Sequence, residues 1–129
     1  MIDYGFKKEI DLPFKKAEEV VTEELKKKGF GILTKIDVKE KFEEKLGIDF
    51  KNYVILGACN PPYAHKAILA EEDIGLMLPC NVVIYEKEGK TILSIIRPTV
   101  AMGMIENEAL KQIAQEIEAM LKAVFDSVE

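Results

Sequence analysis

The side chains that could do chemistry are concentrated in two short stretches of this sequence. The first is residues 59–65, Cys-Asn-Pro-Pro-Tyr-Ala-His, which holds one of the two cysteines and the only histidine. The second is Cys80-Asn81, which follows Pro79. Two thiols and an imidazole can form a nucleophile with its base, or can bind a metal ion. They can equally be inert residues of a packed core.

Three of these residues are candidates for catalysis: Cys59, Cys80 and His65. Cys59 directly precedes a predicted helix, and the partial positive charge of a helix N-terminus favours a thiolate over a thiol. His65 lies one turn into that helix and is a candidate base. The alternative is structural, with two buried thiols that do not react and a partly buried helical histidine.

The same stretches suggest a site for a small ligand. Asn60 and Pro61 suit the N-cap and the first position of the predicted helix, whose free N–H groups can hold an anion. Arg97 is the only arginine beside 17 lysines, and its planar fork suits an anionic group. The alternative is that Arg97 ends a strand and pairs with an acidic side chain.

A predicted hairpin brings Arg97 toward the second cysteine. If Glu88-Gly89 is a two-residue turn, Val82 faces Ile95 and Ile84 faces Leu93 in the flanking strands. The same register places Cys80 opposite Arg97. We therefore include Cys80, Asn81 and Arg97 with Asn60 and Pro61 as the candidate ligand-binding residues.

No metal site is predicted, and the sequence does not identify a cofactor. The spacing of Cys59, His65 and Cys80 lacks a C-x-x-C pair, and zinc would need a carboxylate or water as its fourth ligand. A disulfide depends on the topology, because parallel strands would hold the two cysteines about 20 Å apart. We favour the alternative, in which residues 71–79 lead the chain back and make the cysteines neighbours.

The elements that must position these residues follow from the periodicity of apolar side chains. The predicted order is β-α-β-α-β-α-β-β-α, over residues 2–6, 13–28, 30–36, 37–47, 53–59, 60–69, 81–87, 90–97 and 107–128. Residues 53–59 are apolar on both faces, which is typical of a central strand. The predicted fold class is α+β, a single domain over residues 1–129 with helices packed on a mixed, mainly antiparallel sheet.

Composition excludes several classes of partner. The net charge of −5 argues against nucleic acid and anionic membranes, which attract basic proteins. The longest apolar run, residues 54–59, is too short to span a bilayer. We therefore expect a cytoplasmic protein with neither a membrane nor a nucleic-acid partner.

Residues 56–67 and 75–86 resemble the prokaryotic family called domain of unknown function 302, which has the TT-seventeen-fifty-one-like fold. The resemblance covers nearly the whole chain, and the matching motif positions are Gly57, Cys59, Asn60, Pro61, Ala64, His65, Pro79, Cys80 and Asn81. It implies a small α+β domain that self-associates, as a dimer, with no established activity. It assigns no catalytic residue.

The favoured hypothesis is a module that binds a small anionic or thiol-containing ligand beside Cys59, Asn60 and Cys80. One alternative is a thiol-dependent enzyme with a cysteine nucleophile and His65 as its base. The other is a purely structural dimerising domain. Both site hypotheses require the two stretches to meet in space.

Overall fold

A computed structural model describes residues 2–129, so that Met1 of the predicted domain lies outside the described residues. The strands are β1 (Gly5–Ile10), β2 (Gly31–Asp37), β3 (Tyr53–Cys59), β4 (Cys80–Lys87) and β5 (Lys90–Ile96). The helices are α1 (Phe14–Lys27), α2 (Val38–Leu46), α3 (Pro61–Ala70), α4 (Pro98–Ala101) and α5 (Glu108–Ser127), and a 3-10 helix, Glu72–Met77, lies between α3 and β4. The predicted α+β class and the predicted order of elements are confirmed.

The strands form one sheet in the order β1-β5-β4-β3-β2, and all four neighbouring pairs are antiparallel. β3 is an inner strand, as its apolar sequence predicted. The hairpin of β4 and β5 has the predicted register, with Val82 opposite Ile95. Its two turn residues, Glu88 and Gly89, have φ values of 52° and 78°, the left-handed backbone that a two-residue hairpin turn requires.

The core lies between one face of the sheet and the helices α1, α3 and α5. In α5 the apolar residues recur at spacings of three and four, which places them on one side of the helix. The buried residues of this helix are Leu110, Ile113, Ala114, Ile117, Leu121 and Val124. α2 contacts β2 and β3 and has no buried residue.

The other face of the sheet, which we call the open face, is defined by the strand residues that alternate with the buried ones. These are Gly5, Lys7, Glu9, Gly31, Thr34, Ile36, Tyr53, Ile55, Gly57, Cys59, Asn81, Val83, Tyr85, Lys87, Lys90, Ile92, Ser94 and Ile96. None of these side chains is buried within the part of the chain that the structure describes. The buried glycines Gly5 and Gly57 are the exceptions on this face, and the helix side also has the exposed Lys35 at its edge. The two faces therefore differ in burial chiefly at their apolar side chains.

Several boundaries differ from the sequence prediction, and the first strand, predicted over residues 2–6, extends to Ile10. The first strand begins at Gly5, because residues 3 and 4 form a turn and Ile2 pairs with Gly5. Pro13 is the N-cap of α1 and not its first helical residue. Across residues 2–129, no helix is both long enough and apolar enough to cross a membrane.

Candidate functional site

Antiparallel pairing of β3 and β4 brings the two chemically interesting stretches together. Ala58 is opposite Cys80, and Gly57 is opposite Asn81, at the end of β3 and the start of β4. The segment that includes the 3-10 helix returns the chain from the end of α3 to this edge. The cysteines are therefore close in space, which is the arrangement that we favoured from the sequence.

A cavity of about 270 Å³ opens beside this pair of strand ends, between α3 and the segment before β4. For comparison, an engineered apolar cavity of about 150 Å³ binds benzene. The lining is mainly apolar, and its polar side chains are the two thiols and one amide. It consists of Phe30, Leu33, Ala58, Cys59, Asn60, Ala64, Ile68, Gly75, Leu78, Pro79, Cys80 and Ile117.

α3 contributes one stripe of residues to the cavity. Asn60, Ala64 and Ile68 are spaced by four positions, so they lie on the same side of the helix. His65 follows Ala64 and is rotated by about 100° from it. It is exposed and does not line the cavity. The structure therefore does not bring His65 together with the two thiols.

Two asparagines hold α3 at its ends. The Asn60 side chain donates from Nδ2 to the Lys28 carbonyl oxygen at 3.2 Å, which links the start of α3 to the end of α1. The Asn107 side chain donates to the Ala70 carbonyl oxygen at 2.8 Å. Asn60 is at the N-cap position, as predicted, but its side chain makes no capping hydrogen bond because it is directed to Lys28.

The remaining residues of α3 and β4 that were candidates for ligand binding point elsewhere. Pro61 is the first residue of α3, as predicted, but it is exposed and does not line the cavity. Asn81 is exposed on the open face, since it alternates with Cys80 along β4. Of the five candidate ligand-binding residues, the cavity therefore gathers Asn60 and Cys80, together with the catalytic candidate Cys59.

Both cysteines are free thiols. Burial raises the pKa of Cys80 to about 11, with a smaller contribution from nearby Cys59. Burial also raises the pKa of Cys59, which is opposite to the effect that we expected from the helix N-terminus. The two residues are one position out of register in adjacent strands, so their side chains leave the pleat in opposite directions, a poor geometry for a disulfide.

Gly57 allows close packing above the strand end. A Cβ atom at this position would lie 2.1 Å from Thr34 Oγ1 and 2.8 Å from Pro79 Cγ. Both distances are far inside van der Waals contact. Glycine at position 57 therefore lets Pro79, a cavity residue, approach β3 closely.

Arg97 lies outside the cavity and is held by other partners. The pairing of β4 with β5 ends at Val82 and Ile95, and the chain then turns into α4, so Arg97 is not paired with Cys80. Its Nε donates to Glu118 Oε2 at 3.2 Å, and its Nη1 donates to the Asp3 carbonyl oxygen at 3.1 Å. The pairing with an acid, which was the structural alternative, is the one observed.

The sequence interpretation missed most of the apolar lining. Phe30 and Leu33 come from the segment that follows α1, and Ile117 comes from α5. Leu33 occupies a register shift in β2 and is 66% exposed, while Leu76 in the neighbouring 3-10 helix is 89% exposed. Leu76 does not line the cavity, so this leucine in the acidic segment 71–77 was no signal for the missed lining. Among residues 2–129, no group of three or more His, Cys, Asp or Glu side chains could hold a metal ion.

Comparison with known proteins gives a family and a related structure. The model of the family described as domain of unknown function DUF302 matches residues 6–128. The crystal structure of an uncharacterized conserved protein DUF302 from Bacillus stearothermophilus has a similar fold, with a TM-score of 0.92 and 35% sequence identity. The similarity covers 99% of this chain and 100% of that chain. No curated protein matches.

Proposed function

Because the chain belongs to the family of domain of unknown function DUF302, whose description states no activity, we propose its function from the cavity. The protein binds a small, mainly apolar ligand beside Cys59, Asn60 and Cys80. The observation that carries this proposal is an open cavity of about 270 Å³ with only three polar side chains in its lining. Ligand sites are commonly apolar clefts with a few polar groups that fix orientation.

The uncharged lining of the cavity favours an apolar ligand over the anionic ligand that we considered from the sequence. The residues that line the cavity include no lysine, arginine or histidine. Arg97, the expected anion-binding group, is occupied by Glu118. Because burial raises the pKa values of Cys59 and Cys80, both are neutral thiols at pH 7 and contribute no charge to the cavity. A thiol-containing ligand remains compatible with this environment if its body is apolar.

The thiol-enzyme alternative has less support. Nucleophilic catalysis by cysteine requires a thiolate and a base within hydrogen-bond reach. Burial disfavours the thiolate at both positions, and the histidine lies on a different side of α3. The residues that line the cavity include no histidine or carboxylate that could act as the base.

Titration with indole tests the proposal, because indole combines an apolar body with one N–H donor. We expect it to shift the backbone amide resonances of Ala58, Cys59 and Cys80 and to raise the melting temperature. In Ala64→Phe the added ring occupies the cavity, and both effects should disappear. Ala119→Phe, at an exposed position of α5 outside the cavity, is the matched control and should behave like the wild type.

Inorganic phosphate provides the comparison for the anionic ligand. If phosphate shifted the amides of residues 58–61 and indole did not, the helix N-terminus would be the site and the apolar proposal would be wrong. If neither probe affected these amides, the cavity would be a packing defect without a binding role.

We also propose that the protein forms a dimer, as the family resemblance implies. This is favoured by the unequal burial of the two faces of the sheet. A surface with isoleucine, valine and tyrosine side chains in contact with solvent is typical of an interaction site. Light scattering coupled to size-exclusion chromatography would report a molar mass twice that of the chain.

A further inference from the structure

We infer that the open face is the surface through which two copies of the chain pair, sheet against sheet. This inference deepens the proposed self-association and rests on it. It concerns the side of the sheet opposite to α1 and α5, and it does not involve the residues of the cavity on α3.

The centre of the open face is apolar. Its apolar residues are Ile55 in β3, Val83 in β4, and Ile92 and Ile96 in β5, all of them partly exposed, and the polar Ser94 in β5 lies opposite Val83. An antiparallel sheet with one face in water normally alternates apolar and polar residues along its strands. These three inner strands carry apolar residues on both faces instead. That pattern is typical of a sheet covered on both sides.

Three of the four tyrosines of the sequence surround this centre. Tyr53 and Tyr85 face each other across β3 and β4 and stack, with ring centroids 5.3 Å apart and 11° between the planes. Tyr4, which precedes β1, is 61% exposed and lines a shallow depression together with Val83 and Ile96. Burial, and then proximity to Tyr85 and Tyr4, raise the pKa of Tyr53. Tyrosine is enriched at protein interfaces because it offers a large rigid contact with a polar end.

The area of the open face is sufficient for a dimer. Strands spaced about 4.8 Å apart and about six residues long, at about 3.3 Å per residue, give this sheet of five strands a footprint of about 500 Å². Two such footprints, one on each copy, bury about 1,000 Å² if the side chains are treated as a flat surface. This area reaches the lower limit for a specific interface.

The charges at the rim favour a second copy as the partner. On β1, Lys7 and Glu9 point to the open face, and Glu9 forms an ion pair with Lys90 at 3.4 Å. A two-fold dimer brings the same patch of both subunits together, so a surface that pairs with itself cannot carry charge of a single sign. Lys87 lies beside Lys90, so the edge carries three lysines and one glutamate, around a centre without charged residues. Both signs are therefore present at the edge, with lysine in excess. A polyanion would instead require a basic surface.

A charge placed at the centre of the open face tests the surface. Val83→Lys puts an ammonium group on each copy in the middle of the interface, while the side chain is outside the core. We expect the wild type to sediment as a dimer and Val83→Lys to weaken dimerisation by about 30-fold or more. Leu69→Lys, at a 73% exposed position of α3, is the matched control and should leave the dimer unchanged. Circular dichroism verifies that both variants are folded.

Hydroxyl-radical oxidation of the wild type gives a second readout that needs no variant. When the protein concentration is raised, oxidation of Tyr4, Tyr53 and Tyr85 should fall. Tyr63, on α3, is the internal control and should be oxidised equally at all concentrations. A wild type that is monomeric throughout would overturn both the self-association and its surface. A dimer that resists Val83→Lys, or that protects Tyr63 and leaves the other tyrosines accessible, would overturn the surface alone.

Discussion

Replacing Glu118 by glutamine is expected to destabilise the fold at neutral pH. The Glu118 carboxylate on α5 accepts hydrogen bonds from Thr99 N at 3.0 Å and from Thr99 Oγ1 at 2.6 Å, both on α4. It also accepts one from Arg97 Nε at 3.2 Å, and Arg97 in turn holds the Asp3 carbonyl oxygen. This side chain therefore joins α5 to α4 and to the segment before β1.

The size of the destabilisation can be worked out because glutamine has nearly the same shape as glutamate but no charge. A hydrogen bond to a charged group contributes about 1.5–3 kcal/mol, and removing one partner leaves the other unsatisfied. Glutamine can still accept from Thr99, but it offers Arg97 only a neutral oxygen or an opposing NH₂ group. We therefore expect Glu118→Gln to lower the free energy of unfolding by about 2 kcal/mol at pH 7.

The pH dependence distinguishes this explanation from a general packing defect. Partial burial alone would raise the pKa of Glu118, but the hydrogen bonds from Thr99 and Arg97 outweigh it and hold the pKa below 4.5. A carboxyl group with a lowered folded pKa stabilises the protein above its unfolded pKa, and this contribution is lost as the pH falls through the folded pKa. The difference between the wild type and Glu118→Gln should therefore shrink below pH 4.5.

Urea unfolding followed by circular dichroism, at pH 7 and at several values below pH 4.5, measures this difference. Glu106→Gln, which removes an exposed carboxylate before α5, is the control and should change the unfolding free energy little at any pH. A destabilisation by Glu118→Gln that was equally large at all pH values, or absent at pH 7, would refute the reasoning.

Two further predictions concern the strand ends beside the cavity. Cys59 and Cys80 should react with iodoacetamide more slowly than a free thiol at pH 8, because burial raises both pKa values. The reaction should become faster as the pH rises, and the rates measured by mass spectrometry should be the same in His65→Ala. Rapid labelling that was lost in His65→Ala would instead support the thiol enzyme. Gly57→Ala should lower the unfolding free energy by about 1–3 kcal/mol, because the new methyl group meets Thr34 Oγ1. Adding Thr34→Ala to this variant should recover part of the loss, as measured by urea titration. An unchanged midpoint for Gly57→Ala would contradict the close packing.

The elements that were predicted well have local signals. α5 has a regular spacing of apolar residues over 20 positions, and the hairpin of β4 and β5 has a two-residue turn that fixes its register. Neither signal depends on the rest of the chain. Boundaries were less certain where a turn interrupts the alternation, as it does between Ile2 and Gly5.

The candidate site was predicted only in part, because its properties depend on contacts between distant residues. The position of Cys59 before α3 predicted a lowered pKa, but burial in the folded protein acts more strongly and raises it. The role of Arg97 is set by Glu118, which is 21 residues further along the chain. No local pattern around Arg97 could have indicated that partner. Phe30 and Ile117 likewise meet in one cavity only through the tertiary fold.

The apolar sequence of β3 correctly predicted an inner strand, but the helices of one chain do not explain why both faces of this strand are apolar. Residues 53–59 are apolar on both faces, and this predicted an inner strand, which β3 is. Burial by the helices explains only one of the two faces, through Val54, Leu56 and Ala58. Ile55 on the other face is only partly buried, although water is a poor environment for its side chain. On this face Gly57 is covered within the chain by Pro79, and Cys59 lines the cavity. A second copy of the sheet would account for Tyr53 and Ile55, and Val83→Lys tests this explanation from the adjacent strand.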